Sequence, residues 1–333
     1  MADDPELARF LVERGLAAAG EAQTWTPLSG GVSSDIWRVD LPGRALCVKR
    51  ALAQLRVKAD WRAPEGRNLA EARWFAAARR FVPGSAPEVL ALDENRRLLA
   101  TAFLDAATHR LWKDELLAGR VDADFAASVG GRLGAIHAKS AKEPGLAADF
   151  ATDETFHALR IDAYLLHAAR NQPAVAEPLE ALARRTAATH LALVHGDVSP
   201  KNIMIGPEGP VFLDAETAWW GDPAFDLAFC LNHLLLKRLV VKGADAALNA
   251  SFSALAEAYL DRVDWEPFEA LEARAASLLP GLMLARVDGK SPVEYVTEEP
   301  QRELVRRVAF ALLAEPPSVL EAVRRTWDRA LNA

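Results

Sequence analysis

This sequence of 333 residues has few cysteines, no long apolar run and no excess of positive charge. Its two cysteines, Cys47 and Cys230, show neither metal-ligand spacing nor a disulfide framework, which is typical of a reducing cytoplasm. No run approaches the ~18 apolar residues of a membrane span. The acidic start, MADDPELARF, lacks a signal-peptide pattern. The net charge of −7 disfavours a nucleic-acid partner. We therefore expect a cytoplasmic protein that binds neither membranes nor nucleic acid.

The residue pattern changes near His109. Short apolar segments separated by turns fill the first hundred residues and predict antiparallel strands. Ala- and Leu-rich segments with helical periodicity dominate the remainder. The sequence thus predicts an α+β fold with a small β-rich lobe over 1–103 and a large, mainly helical lobe over 104–333. A cleft between two lobes is a natural ligand site.

A strand-like island at 191–214 interrupts the helical part. Its two apolar runs, 203–205 and 211–213, flank a Gly- and Pro-rich turn and predict a β-hairpin. Asn202 precedes the first strand and Asp214 follows the second, so pairing places their side chains about one strand spacing (~5 Å) apart. Asp197 lies on the loop just before them. Two carboxylates and a carboxamide are therefore expected to converge.

This set of oxygen donors suits one particular chemistry. Carboxylate and carboxamide oxygens are ligands that Mg²⁺ accepts together with phosphate oxygens. The remaining carboxylate can orient or deprotonate a nucleophile. That division of roles is what phosphoryl transfer requires.

The spacing of His195-Gly196-Asp197, Asn202 and Asp214 resembles the motif of the aminoglycoside phosphotransferases and their relatives, the choline and methylthioribose kinases. The resemblance extends from about residue 24 to 240 and implies the protein-kinase-like two-lobed fold. By this resemblance Asp197 is the catalytic base, and Asn202 and Asp214 are magnesium ligands. His195 would be structural and hold the catalytic loop.

The resemblance also implies an ion pair that contacts the nucleotide. Lys49, at the end of a predicted strand, resembles the lysine that binds the α- and β-phosphates. Its partner should be a glutamate on the following helix. Glu71 is the expected partner, and Glu65 is the alternative.

Two backbone segments complete the expected nucleotide site. The loop 29–35 resembles a nucleotide-covering loop, although its glycines are adjacent and do not form Gly-x-Gly-x-x-Gly. The segment 100–104 is the expected hinge, where backbone groups would bond adenine, so its side chains do not separate ATP from GTP. The residues expected to bind the nucleotide in these segments are Gly30, Gly31, Ser33, Thr101 and Phe103.

Departures from the protein kinases favour a small-molecule acceptor. Gly196 stands where their catalytic loop has arginine, and Asp214-Ala215-Glu216 replaces Asp-Phe-Gly. The Asp-x-Glu pattern resembles the methylthioribose kinases, which makes Glu216 a candidate third magnesium ligand, or else a surface carboxylate that points away. Asp226 lies in the first turn of a predicted helix. The resemblance implies that it braces the catalytic loop.

Residues that could contact the acceptor are less distinct. Alternation along the chain predicts that one of Trp219 and Trp220 is buried and that the other can stack on a sugar or heterocycle, although both could be packing residues. The charged stretch 286–290 follows the helix-breaking Pro280-Gly281 and is expected to be a loop. Arg286 or Lys290 could there meet an anionic acceptor, or form a solvated turn.

The sequence as a whole predicts an enzyme. It would use ATP and Mg²⁺ to phosphorylate a hydroxyl of a small molecule such as an aminoglycoside, amino alcohol, sugar or thiosugar. The alternative is a catalytically silent nucleotide-binding protein of the same fold. Silent relatives usually lack the lysine, the base or a metal ligand, whereas all three have candidates here. The residues leave open the acceptor, the choice of ATP or GTP, and the oligomeric state.

Overall fold

An antiparallel sheet forms the first part of the chain in the computed structural model, which describes residues 5–28, 34–52 and 66–333. The strand order is β1-β2-β3-β5-β4. The strands are β1 (Thr24–Pro27), β2 (Ser34–Leu41), β3 (Arg44–Ala51), β4 (Val89–Asp93) and β5 (Leu98–Ala102). Two helices accompany them, α1 (Pro5–Glu13) and α2 (Arg67–Phe81).

Apolar periodicity explains how α1 covers this sheet. Its buried residues, Leu7, Phe10 and Leu11, are spaced three and four apart and so share one helix face. They form a cluster with Val39 of β2 and Val48 of β3, which alternate with more exposed neighbours. The sheet thus has its own small core.

Helices dominate the remainder of the chain. They are α3 (Trp112–Leu117), α4 (Ala123–Ala141), α5 (Leu146–Asp149), α6 (Asp153–Phe156), a π-helical stretch (His157–Leu166), α7 (His167–Asn171), a 3₁₀ turn (Pro173–Val175), α8 (Ala176–Ala188), a second 3₁₀ turn (Pro200–Asn202), α9 (Ala224–Lys237), α10 (Asp245–Leu260), α11 (Phe268–Asp288), α12 (Glu299–Ala314) and α13 (Leu320–Leu331). Short strands lie among them: β6 (Arg110–Leu111), β7 (Ala192–Val194), β8 (Ile203–Gly206), β9 (Gly209–Phe212) and β10 (Trp219–Gly221).

The helical core is built around α9, which is buried along its whole length. Helices α4 and α10 pack so closely that a Cβ on Gly130 would lie 2.1 Å from the carbonyl oxygen of Leu255. Glycine is therefore required at this helix crossing. Within the described ranges, none of the helices has the length and apolar character needed to cross a bilayer.

The predicted α+β architecture, an antiparallel sheet followed by a helical region, is confirmed. The boundary expected after residue 103 falls between β5 and β6. That 1–103 and 104–333 are separate domains stays a prediction.

The expected break at Pro280-Gly281 is wrong. Helix α11 continues through Pro280 to Asp288. A proline inside a helix costs about 3 kcal/mol. The residues around Pro280 are buried, and their packing against other helices offsets that cost. The packing is tight at the next residue, where a Cβ added to Gly281 would lie 3.0 Å from both Leu165 and Leu182.

Candidate active site

The hairpin at the centre of the site forms as expected. Strands β8 and β9 pair with Ile203 opposite Phe212. At its open end the amide of Leu213 donates to the carbonyl of Asn202 at 2.8 Å. Asp214 follows in the left-handed region, with a φ of 62°. Asn202 and Asp214 therefore lie at the same end of the hairpin.

Asp197 is held beside this end by three side chains. Asn202 Nδ2 donates to its Oδ2 at 2.9 Å. Arg160, from the π-helical stretch, and Lys201, from the second 3₁₀ turn, each place a nitrogen 3.1 Å from the same oxygen. Asp197 as a whole is 4 % exposed. These contacts fix its orientation.

The neighbours of Asp197 also set its protonation state. Burial alone would raise the pKa of this carboxyl group, but the positive charges of Lys201 and Arg160 outweigh it, and the pKa lies below its ordinary value. Asp197 is therefore ionised at neutral pH. It can accept a hydrogen bond, and then a proton, from an acceptor hydroxyl.

His195 ties the catalytic loop to the hairpin. Burial lowers its pKa, so the imidazole is neutral. Its Nδ1 accepts from the Asp197 amide at 3.1 Å, and Nε2–H therefore donates to the Leu213 carbonyl at 3.0 Å. The ring links the loop that carries Asp197 to the residue preceding Asp214.

Asp226, in the first turn of α9, binds the backbone of the same loop. Its carboxylate accepts from the amides of His195 at 2.7 Å and Gly196 at 2.8 Å. His137 Nε2 lies 3.3 Å from one of its oxygens. The acid thus satisfies two buried backbone donors next to Asp197.

Lys49 lies at the centre of a buried carboxylate cluster. Its Nζ is 2.9 Å from Glu71, 2.5 Å from Asp214 and 2.7 Å from Glu216. The expected pairing with Glu71, on α2, is thus present. The alternative partner, Glu65, lies outside the described residues. This cluster joins the sheet to the loop that follows β9.

The charged groups in this cluster shift one another's pKa values. Burial lowers the pKa of Lys49, but Asp214, Glu216 and Glu71 together raise it well above its ordinary value. Burial raises the pKa of Glu71 to about 8, although Lys49 acts against it. For Asp214 and Glu216, Lys49 outweighs burial and the pKa values fall. One lysine therefore faces three acids.

These acids fit a divalent cation. One oxygen from each of Glu71, Asp214 and Glu216 lies within 4.8 Å of the others. Hard oxygen donors such as these are what Mg²⁺ prefers. The donor set is therefore compatible with a magnesium ion, with Asn202 as a further candidate ligand.

Glu216 is not the outward-pointing surface carboxylate of the alternative interpretation. It is buried, accepts from Ser34 Oγ at 2.6 Å, and pairs with Arg67 Nε at 3.2 Å. A role as a metal ligand stays a prediction.

Of the remaining residues expected to bind the nucleotide, the structure describes only Thr101 and Phe103. Gly30, Gly31 and Ser33 lie outside the described residues. Thr101 lies within β5, where it pairs with Cys47 of β3. Phe103 follows β5 and carries the guanidinium of Arg38 over its ring at 4.6 Å. Their nucleotide contacts stay predictions.

The expectation that alternation exposes one tryptophan is wrong. Trp219 and Trp220 are only 1 % and 9 % exposed. Strand β10 pairs with β7, and Trp219 stacks on Phe156 with ring centroids 4.0 Å apart. Both indoles are packed in the helical core, so neither presents a free face to an acceptor.

The charged stretch 286–290 is not a loop throughout. Arg286 lies in the last turn of α11, and its Nη1 donates to the Tyr164 hydroxyl at 3.0 Å. Lys290 follows the helix, and its amide donates to the Ala163 carbonyl at 2.9 Å. Both residues thus lie against the π-helical stretch that carries Arg160.

Three side chains that contact the acids of the candidate site were not predicted. Lys201, four residues after Asp197, could have been found, since that spacing reaches across a tight turn. Arg160 and Arg67 come from distant parts of the chain, 37 and 149 residues from their acidic partners. No local pattern marks them.

The chain matches a family model by its sequence and solved structures by its fold. Residues 24–271 match the model of the phosphotransferase enzyme family. No curated protein sequence matches the chain.

Solved structures share its fold, and the following three are among them. An amicoumacin kinase is 12% identical, with a TM-score of 0.58 and coverage of 95% of each chain. The ethanolamine kinase of Plasmodium vivax is 13% identical, with a TM-score of 0.56 and coverage of 94% of this chain and 90% of that one. The macrolide 2′-phosphotransferase of Brachybacterium faecium is 19% identical, with a TM-score of 0.50 and coverage of 92% and 99%.

At these identities the structural likeness shows the protein-kinase-like fold alone. The family match spans β1 to the start of α11 and so includes Lys49, Asp197 and Asp214. The chain therefore belongs to the phosphotransferase enzyme family.

Proposed function

We propose that this protein transfers the γ-phosphate of ATP, in the presence of Mg²⁺, to a hydroxyl of a small molecule. The observation that carries the proposal is the convergence of an ionised, positioned Asp197 with the Lys49–carboxylate cluster. A general base and a cation-binding cluster on adjoining segments are what phosphoryl transfer needs.

Each residue has a distinct role in this mechanism. Asp197 orients the acceptor hydroxyl and takes its proton as the oxygen bonds to the γ-phosphorus and the bond to the β-phosphate oxygen breaks. Arg160 and Lys201 hold Asp197 ionised and in place. Lys49 would move from the carboxylates to the nucleotide phosphates.

Asp214 and Asn202 would hold the magnesium ion, with Glu216 as a further candidate. When bound, the ion neutralises charge on the phosphate oxygens. The amicoumacin kinase structure contains AMP-PNP and Ca²⁺, which supports ATP as the donor. GTP is the alternative donor.

A silent nucleotide-binding protein is the second candidate. It is disfavoured because the described residues include candidates for the lysine, the base and the metal ligands, with Lys49 against Asp214 and Asn202 against Asp197. The free cysteines, Cys47 and Cys230, together with a requirement for ATP, favour a cytoplasmic location.

The test is an ATP-consumption assay over hydroxyl-bearing small molecules, followed by kinetics of Asp197→Asn. We expect kcat to fall about 10²- to 10⁴-fold, the usual contribution of a general base, while Mg·ATP binding persists. Asp162→Asn is the matched control, since Asp162 lies on the π-helical stretch in a surface pair with Arg170. Undiminished turnover in Asp197→Asn would contradict the mechanism.

A further inference from the structure

Buried basic side chains are concentrated next to the reaction centre in the helical region. We call this set the cationic cluster, and it consists of Arg160, His233, Lys237 and Arg286 with the two tyrosines that join them, Tyr164 and Tyr295. The exposed fractions of Lys237, His233 and Arg286 are 1 %, 4 % and 6 %. Uncompensated burial of cations is costly, and it is characteristic of functional sites.

The cluster is connected to Asp197 through a single ring. Arg160 pairs with Asp197, and its guanidinium lies 5.6 Å from the centroid of Tyr164. The guanidinium of Arg286 lies 5.5 Å from the same centroid. One tyrosine ring therefore contacts both guanidinium groups.

Arg286 has unused hydrogen-bonding capacity. Its Nη1 donates to the Tyr164 hydroxyl and to the carbonyl of Ser291. Its Nε is buried and has no hydrogen-bond partner. Since a guanidinium has five donors, this group can still bind an anion.

Lys237 and His233 make the second half of the cluster. The ammonium of Lys237 lies 4.1 Å from the ring centroid of Tyr295, whose hydroxyl is 3.0 Å from His233 Nδ1. The other imidazole nitrogen, Nε2, is buried without a hydrogen-bond partner. Burial lowers the pKa of Lys237 to about 8. The charge of Glu294 acts against this shift, and the charge of Arg286 adds to it.

The acids near the cluster are engaged elsewhere. Asp197 pairs with Arg160 and Lys201, and Glu294 Oε1 lies 2.9 Å from Lys113 Nζ. Among the residues that the structure describes, neither Arg286 nor Lys237 has a carboxylate partner. Neither of these two buried cations is therefore in an ion pair, although the charge of Glu294 acts on both from farther away.

We infer that the acceptor is an anion, a hydroxy compound that carries a carboxylate or a phosphate group. This inference rests on the proposed phosphotransferase function. Arg286, Lys237 and His233 would bind the anionic group, and Asp197 would receive the hydroxyl. The same charges would repel a cationic aminoglycoside or amino alcohol, so these classes are disfavoured.

Binding measured without nucleotide tests the inference at constant ionic strength. The probes are gluconate against glucitol, and glucose 6-phosphate against glucose, so that each pair separates a charged group from its neutral counterpart. We expect the anion to bind at least about tenfold more tightly, since a charge-assisted bond contributes about 1.5–3 kcal/mol. The two pairs distinguish carboxylate from phosphate recognition.

Lys237→Met keeps the apolar stem of the side chain and should remove this preference. Lys242→Met is the matched control, because Lys242 is exposed just beyond α9 and should leave anion binding unchanged. Thermal unfolding of each variant checks that it is folded. Equal binding of charged and neutral partners, or unchanged anion binding by Lys237→Met, would overturn the inference.

A parallel measurement separates this inference from the proposed function. Mg·ATP binding by the wild-type protein is recorded alongside phosphorylation of gluconate, glucose 6-phosphate, kanamycin and choline. If only kanamycin or choline is phosphorylated, the proposal of an anionic acceptor is wrong and the proposed kinase function is supported. If the protein does not bind Mg·ATP, the proposed kinase function is wrong, whether or not the protein binds the anionic probes.

Discussion

Gly196 is the residue whose replacement should damage the catalytic loop most directly. It has a φ of 79°, and a Cβ there would lie 2.7 Å from the Thr217 carbonyl oxygen. Gly196→Ala combines left-handed strain of about 1–3 kcal/mol with a backbone clash beside Asp197. We expect a lower free energy of unfolding in denaturant titration and a lower kcat.

Gly43→Ala is the matched control for this change. Gly43 also has a φ of 79°, but nothing lies within 4 Å of a Cβ at that position. It should lose about 1 kcal/mol of stability from strain alone and keep full turnover. Equal losses in the two variants would show that Thr217 imposes no close contact on Gly196.

The site residues that were predicted from the sequence and those that were missed differ in how far along the chain their contact partners lie. Asn202 and Asp214 converge because a hairpin is local, and its turn and strands can be read from adjacent residues. Arg160 reaches Asp197 only through the packing of the π-helical stretch. Arg67 likewise reaches Glu216 across 149 residues. Such partners depend on tertiary packing, which a single sequence does not display.

Helix α9 acts as the support of the catalytic loop. Its first-turn Asp226 accepts from the amides of His195 and Gly196, and both oxygens are used. Asp226→Asn replaces one acceptor with an NH₂ group, which cannot accept. We expect one buried amide to lose its partner, with a cost of about 1–3 kcal/mol in denaturant titration, and kcat to fall while Mg·ATP affinity is kept.

The control for α9 is a first-turn acid that supports no loop. Asp124, in the first turn of α4, is exposed, and Asp124→Asn should change stability by less than about 0.5 kcal/mol. A kcat unchanged in Asp226→Asn would show that the loop keeps its geometry without this carboxylate.

The element with a strong local signal was predicted well, and elements governed by burial were not. The hairpin of β8 and β9 forms where its two apolar runs and its turn predict it. Strand β10 does not alternate, because it lies inside the helical core and both of its tryptophans are covered. Helix α11 continues past Pro280 for the same reason. In each miss, packing by distant neighbours outweighs the local signal.

At the scale of the whole molecule, Lys49 joins the sheet to the helical region. It belongs to β3, its partner Glu71 belongs to α2, and Asp214 and Glu216 follow β9. These contacts are buried, so Asp214 depends on Lys49 for charge compensation, and Glu216 on Lys49 together with Arg67. A bound Mg·ATP would supply new partners to both sides, since the cation suits the acids and the phosphates suit the lysine.

Mg·ATP should therefore raise the melting temperature of the protein. At a concentration 100 times Kd, a ligand that binds only the folded state adds about 2.7 kcal/mol, which corresponds to a shift of several degrees. Mg²⁺ alone should give a smaller shift, because Lys49 still competes for the carboxylates. Lys49→Met should lose most of the nucleotide-dependent shift, whereas Lys142→Met, in a surface pair with Asp264, should retain it. A full shift in Lys49→Met would mean that the nucleotide binds away from the carboxylate cluster, because a ligand within it cannot avoid this lysine.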